Sequence, residues 1–246
     1  MRNKHTTENI RYYDTITYRY KNIDLLKFDK AASYQFEKII EQLDLTKKRN
    51  IIELGSGIGR YSLALAKLGH TVTAVDISQE GLNLLEKHAK KNKLGKNITV
   101  VNNDFSKVVF RNKYDIALCI STYHVVSDKE DGRIKILSNL LESLKPRGNL
   151  LLIEPNPFNP LFYFFYLFYP GVQRRNIISF LTSSPFRLKK ILESLEMEKV
   201  TINYVGFLPL RFIKKFSEII IINEFINKMP FLNITSAFSY ITAIKK

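Results

Sequence analysis

Three glycines at alternate positions, Gly55, Gly57 and Gly59, follow the apolar run Asn50–Leu54 in the stretch ELGSGIG, with Ser56 among them, and a helical pattern comes next. A glycine-rich turn between a strand and a helix lets bare backbone approach a ligand that any Cβ would obstruct. Asp76 stands seventeen positions after Gly59, at the end of the next apolar run. A carboxylate there can accept hydrogen bonds from ribose hydroxyls. Both features serve a nucleoside. A dinucleotide fingerprint needs its third glycine one place later, where this chain has Arg60. Glu53, immediately before the turn, would repel a pyrophosphate and suits a ligand bearing an ammonium or sulfonium group. The chemistry indicated is recognition of a positively charged nucleoside cofactor.

These residues need a sheet to hold them. Short apolar runs alternate with helical patterns, which predicts a parallel sheet with crossover helices. Strands are expected at Asn50–Leu54, Thr71–Asp76, Ile98–Asn102, Tyr114–Ile120 and Asn149–Ile153, then at Lys199–Val205 and Ser236–Ile244. Helices are expected at Ala31–Leu43, at Tyr61–Leu68 with Gly69 as a left-handed cap, at Gly132–Leu144, from Pro185 onward and around Arg211–Lys228. The KPRG stretch before Asn149 reads as a turn. The expected fold is α/β: a Rossmann-like, doubly wound sheet of seven strands, mostly parallel with an antiparallel last strand. The chain reads as one domain over 1–246, with an N-terminal helical lid (1–45), a cofactor-binding core (46–155) and a substrate-side part with a helical insertion (156–246). Asp115 begins its strand rather than ending it and reads as structural.

The chain resembles the class I S-adenosylmethionine-dependent methyltransferases, in their small-molecule branch, over roughly residues 50–155. ELGSGIG looks like their first motif, TAVDIS their second, NNDF the adenine-recognition segment, YDIALCIST the fourth strand, and LKPRGNLLLIEPN the turn and fifth strand. The resemblance implies S-adenosyl-L-methionine as cofactor and S-adenosyl-L-homocysteine as product. It implies that Gly55, Ser56, Gly57 and Gly59 flank the methionine part beside Glu53, that Asp76 holds the ribose, that Ile77 packs on the adenine, and that Asp104 and Phe105 recognise it. Ser121, at the end of the fourth strand, belongs to the same set. The loop after that strand, STYHVV, lacks the Asn or Asp followed by prolines that nucleic-acid amino-methyltransferases carry, and a histidine is frequent there in small-molecule members. His124 either removes a proton from an acceptor hydroxyl, its ordinary pKa lying near physiological pH, or only shapes the pocket. RYYDTITYRY resembles a lid segment. Tyr13 and Tyr20 either face the sulfonium or simply cover the sheet edge. Methyl transfer by in-line displacement needs no metal.

Charge and composition narrow the partners. The net charge of +15 is heaviest in residues 155–246, with 12 Lys and Arg against 5 Asp and Glu. That part is also the most aromatic. Leu161–Tyr169 is too short an apolar run to span a bilayer, and Arg211–Lys228 is interrupted by charge. A small or lipid-linked acceptor, with weak peripheral membrane contact, is the favoured reading. The alternatives are an RNA-modifying methyltransferase, which the missing motif disfavours, and a noncatalytic cofactor-binding scaffold, which the intact motifs disfavour. One cysteine, Cys119, excludes a disulfide framework. The N-terminus has no apolar segment of the kind a secretory signal requires, so a cytoplasmic protein is expected, with any membrane contact at the inner face.

Overall fold

The computed structural model describes residues 4–107, 109–168, 177–208, 219–229 and 231–246. Helices α1 (Lys4–Tyr18) and α2 (Lys30–Glu41) lead into an alternating core: β1 (Asn50–Leu54), α3 (Arg60–Lys67), β2 (Thr71–Asp76), α4 (Gln79–Lys91), β3 (Ile98–Asn102) and β4 (Tyr114–Ile120). After it come α5 (Glu130–Ser143), β5 (Leu144–Pro155), α6 (Pro160–Phe168), α7 (Ile177–Leu181), α8 (Pro185–Ser194), β6 (Met197–Val205), α9 (Ile219–Lys228) and β7 (Phe238–Lys245).

The strands form one sheet in the order β3-β2-β1-β4-β5-β7-β6. The first five are mutually parallel, and β7 runs antiparallel to both its neighbours. Parallel strands covered by helices on both faces read as unbroken apolar runs. Ile51, Ile52 and Leu54 of β1 and Ile116 to Cys119 of β4 are accordingly buried. Strand order reverses between β1 and β4. At such a switch point the loops after two adjacent strands diverge to opposite faces and leave a crevice at the strands' C-terminal ends. The glycine turn after β1 and the STYHVV loop after β4 both open there.

Strands β1 to β4 fall where the sequence places them. The fifth differs. KPRG is not a free turn but the start of β5, because Leu144 pairs with Tyr114 across a register irregularity and Lys145 Nζ donates to the Asp115 carboxylate at 2.8 Å. Asp115 also accepts the Asn50 N–H at 2.7 Å, so it ties the lower ends of three strands and is structural. Helix α5 begins two residues before Gly132. The N-terminus of α2 is set by Asp29, which accepts the Ala32 N–H at 2.9 Å, and that of α4 by Ser78, which accepts the Gly81 N–H at 3.0 Å. Tyr169 and residues 211–218, parts of the two basic and aromatic stretches singled out in the sequence, lie outside the described residues.

Candidate functional site

The glycine turn is built for close approach. Gly55 has φ +71°, and a Cβ on it would fall within 2.2–2.7 Å of the Thr122 side chain. Thr122 is held on the next strand's loop, its hydroxyl donating to the Ile120 carbonyl at 2.9 Å. Gly59 plays another part: at φ +77° it caps α3, and a Cβ there would strike Leu85 of α4 at 2.3 Å. Gly59 therefore lets α3 and α4 pack and does not line the cavity.

That cavity, about 330 Å³, lies at the C-terminal ends of β1, β2 and β4. Eleven of the residues expected at the site line it: Tyr13, Tyr20, Glu53, Gly55, Ser56, Gly57, Asp76, Ile77, Asp104, Phe105 and Ser121. Two carboxylates set its electrostatics. Asp76 accepts the Gly57 N–H at 2.7 Å and the Ser78 N–H at 2.8 Å, which fixes the glycine turn to the end of β2. Burial nonetheless holds its carboxyl above the usual range, partly offset by those N–H donors, and the Asp14 carboxylate adds to the rise. Glu53 accepts a hydrogen bond from the Ser62 hydroxyl, and burial pushes its carboxyl up to about 7, with the charge of Asp76 adding to the effect. Two desolvated carboxylates thus stand beside the glycine cradle, while the basic side chain in the lining, Arg60, lies over the Phe28 ring. Asp104 uses one oxygen to cap its own turn, accepting from the Ser106 N–H and hydroxyl at 3.0 and 2.7 Å. Phe105 is buried in the 3-10 turn that follows, and its carbonyl accepts from Asn139 at 3.0 Å.

Helix α1 roofs the cavity. Thr6, Asn9, Tyr13, Ile16 and Thr17 line it from one face, and Tyr20 follows just beyond the helix end. Hydrogen bonds hold the roof toward both ends. Near its start the Asn9 amide donates to the Val125 carbonyl at 2.8 Å; near its end the Ser78 hydroxyl donates to Asp14 at 2.6 Å. Of these, the sequence pointed only to the tyrosines.

His124 does not line the cavity, although its neighbours Thr122 and Val125 do. Its ring packs edge to face on Phe180 of α7, which stacks on Phe162 of α6 at 3.8 Å between centroids. Its Nδ1 lies 2.6 Å from an oxygen of Glu154, a side chain that is 0% exposed at the end of β5. Glu154 also accepts the backbone N–H groups of Thr122, Tyr123 and His124 at 3.0, 2.9 and 3.2 Å. A group already accepting three donors acts as an acceptor toward the ring as well, so Nδ1 carries a hydrogen and Nε2 is the ring nitrogen left for another partner. Sequence reasoning missed Glu154. Its signal was a lone acid in the apolar fifth strand, beside the histidine loop of the adjacent strand.

Residues 51–148 match the family model described as a methyltransferase domain. The matched segment is similar to the class I S-adenosylmethionine-dependent methyltransferases, and the sheet around it has their Rossmann-like fold. Over 109 residues this chain is 31% identical to the cypemycin N-terminal methyltransferase of a Streptomyces species, covering 44% of this chain and 43% of that protein. It is 27% identical over 123 residues to the ubiquinone biosynthesis O-methyltransferase of Rickettsia canadensis, half of each chain. The chain thus spans about half or less of the curated relatives it matches. The methyltransferase fold extends further. A SAM-dependent methyltransferase from Aquifex aeolicus superposes over 95% of this chain and 98% of its own with a TM-score of 0.61 at 17% identity. The Haemonchus contortus phosphoethanolamine N-methyltransferase 2 in complex with S-adenosyl-L-methionine does so over 94% of this chain and 57% of its own, with a TM-score of 0.67 at 15% identity. Helices α1, α6 and α7 lie outside the matched segment.

Proposed function

We propose that this protein binds S-adenosyl-L-methionine in the α1-roofed cavity and transfers its methyl group to an oxygen or nitrogen of a small or lipid-linked acceptor, releasing S-adenosyl-L-homocysteine. The observation that carries the reading is the pairing of a glycine cradle with two buried carboxylates, Glu53 and Asp76, in one cavity at the sheet's switch point. Two buried carboxylates fit a ligand with an ammonium and a sulfonium, and a Cβ-free turn fits one that lies against backbone. The cofactor, when bound, supplies the electrophilic methyl. The chain's own residues do the rest. Asp76 and Asp104 offer acceptors to hydroxyl and amino groups, Glu53 offers negative charge, and α1 with Tyr13 and Tyr20 excludes water. His124, its Nδ1 fixed by Glu154, takes the acceptor's proton at Nε2. Residues 1–45 then act as the roof and 156–246 as the acceptor side of a single domain, with Phe162 and Phe180 offering apolar surface beside His124. The O- and N-methyltransferase relatives support a small acceptor for this chain without naming it.

Glu53 makes the binding pH-dependent. Its folded carboxyl titrates at about 7 instead of 4.5. Below that value it is neutral and contributes nothing to binding a cation; above it the carboxylate is charged, and a bound cation offsets its burial. Affinity for S-adenosyl-L-methionine is expected to rise with pH toward about 7, by at most about tenfold per pH unit, and to level above it. Glu53→Gln should flatten that rise. Calorimetric titrations of both forms on either side of neutrality check this, and an equal pH slope in the variant would remove Glu53 from the binding charge.

Incubation of the protein with isotopically labelled cofactor and a fractionated lysate tests the reaction itself. Label in a metabolite or lipid fraction supports the proposal. Label in RNA alone would replace it with an RNA-modifying activity, the alternative that a basic surface also admits.

A further inference from the structure

Helix α9 has its polar side inward and its apolar side outward. Asn223, 0% exposed, accepts the backbone N–H groups of Phe207 and Leu208, both at 2.9 Å. Asn227 accepts the Gly206 N–H at 3.0 Å, and Glu224 pairs with Lys38 of α2 at 3.1 Å. On the other side Ile221 is 73% exposed, Phe225 63%, and Ile222 is exposed between them. With the exposed Lys228 these positions fall within one arc of about 120° at 100° per residue. Just past the helix Phe231 is 90% exposed and Leu232 half exposed. Phe231 also lines a shallow groove with Phe186 and Lys189, so the apolar surface continues onto α8. A helix on the surface of a water-soluble protein ordinarily shows the reverse arrangement. Clustered outward apolar side chains mark a surface that meets something apolar.

Charge decides between occupants. The chain carries +15, and α9 has one acidic side chain, Glu224, already paired to a lysine, which leaves Lys228 as the charge on the outward face. The groove's charged side chain is Lys189. A second copy of so basic a chain is repelled, whereas an anionic lipid surface is attracted. Ten residues of helix are too short to cross a bilayer, and no described helix is long and apolar enough to do so. We propose that the outward face of α9, with Phe231 and Leu232, is a docking surface for an anionic lipid bilayer. It lies in the plane of the interface, with Ile221, Ile222 and Phe225 in the headgroup boundary and Lys228 toward the phosphates.

The test is co-sedimentation of the full chain with vesicles of phosphatidylcholine alone or mixed with phosphatidylglycerol, at low and high salt. Binding is expected to the anionic vesicles, to weaken at high salt, and to fall at least about tenfold in the double variant Ile221→Ser, Phe225→Ser, whose circular dichroism melt should match the parent because both sites are exposed. Wild-type protein left in the supernatant with anionic vesicles at low salt would overturn the proposal. So would a double variant that binds as tightly as the parent. Sedimentation equilibrium showing a dimer that the same double variant dissociates would assign the face to a second copy instead.

Discussion

Replacing His124 with alanine is expected to lower methyl-transfer turnover roughly 100-fold or more while changing affinity for S-adenosyl-L-homocysteine by less than about twofold. The split follows from position. The side chain is not part of the cavity lining, so the cofactor loses no contact. Its Nδ1 is held at 2.6 Å by Glu154, which leaves Nε2 as the acceptor for a proton. Loss of a general base typically removes 10²–10⁴-fold of rate, whereas loss of a partly buried ring that only packs on Phe180 affects stability and leaves the chemical step alone. Single-turnover kinetics with the true acceptor, alongside calorimetry, separates the two. An unchanged rate would reduce His124 to a residue that shapes the pocket.

Asp76→Ala should act on the opposite parameter, weakening cofactor binding by about 1–3 kcal/mol, or roughly five- to 150-fold. Two losses combine. The carboxylate no longer offers acceptors to the ligand, and the Gly57 and Ser78 N–H groups, at 2.7 and 2.8 Å from it, lose their partner. The glycine turn then has no fixed relation to β2. Relief of the repulsion from Asp14 offsets part of this, since that charge contributes to raising the Asp76 carboxyl. The check is a calorimetric comparison of the variant with the parent, and equal affinities would mean that Asp76 neither touches the ligand nor sets the turn that does.

These two residues also differ in how far local sequence reveals them. Asp76 is legible because local signals bracket it: a buried parallel strand is an unbroken apolar run, and a polar residue ends it. The same rule ends β3 at Asn102. It fails for β5, where Pro146 and Gly148 look like a turn and only the pairing of Leu144 with Tyr114, thirty residues apart, makes the segment a strand. Glu154, on which the orientation of His124 depends, is hidden for a related reason. Its role requires β4 and β5 to lie side by side, a contact between residues thirty positions apart that no local pattern carries. The lining face of α1 escapes because Thr6, Asn9 and Thr17 give no hydrophobic period, so only the aromatic Tyr13 and Tyr20 stand out. Helix α9 misleads in the other direction, since its apolar period is real but faces outward, and burial is not written in periodicity.

The most direct test of the account is a calorimetric titration of S-adenosyl-L-homocysteine into the purified protein. The expected result is saturable binding of one ligand per chain with a dissociation constant on the order of 1–100 μM. Absence of any binding heat or thermal stabilisation at millimolar ligand would contradict the assignment of the α1-roofed cavity, and with it the proposed methyl transfer.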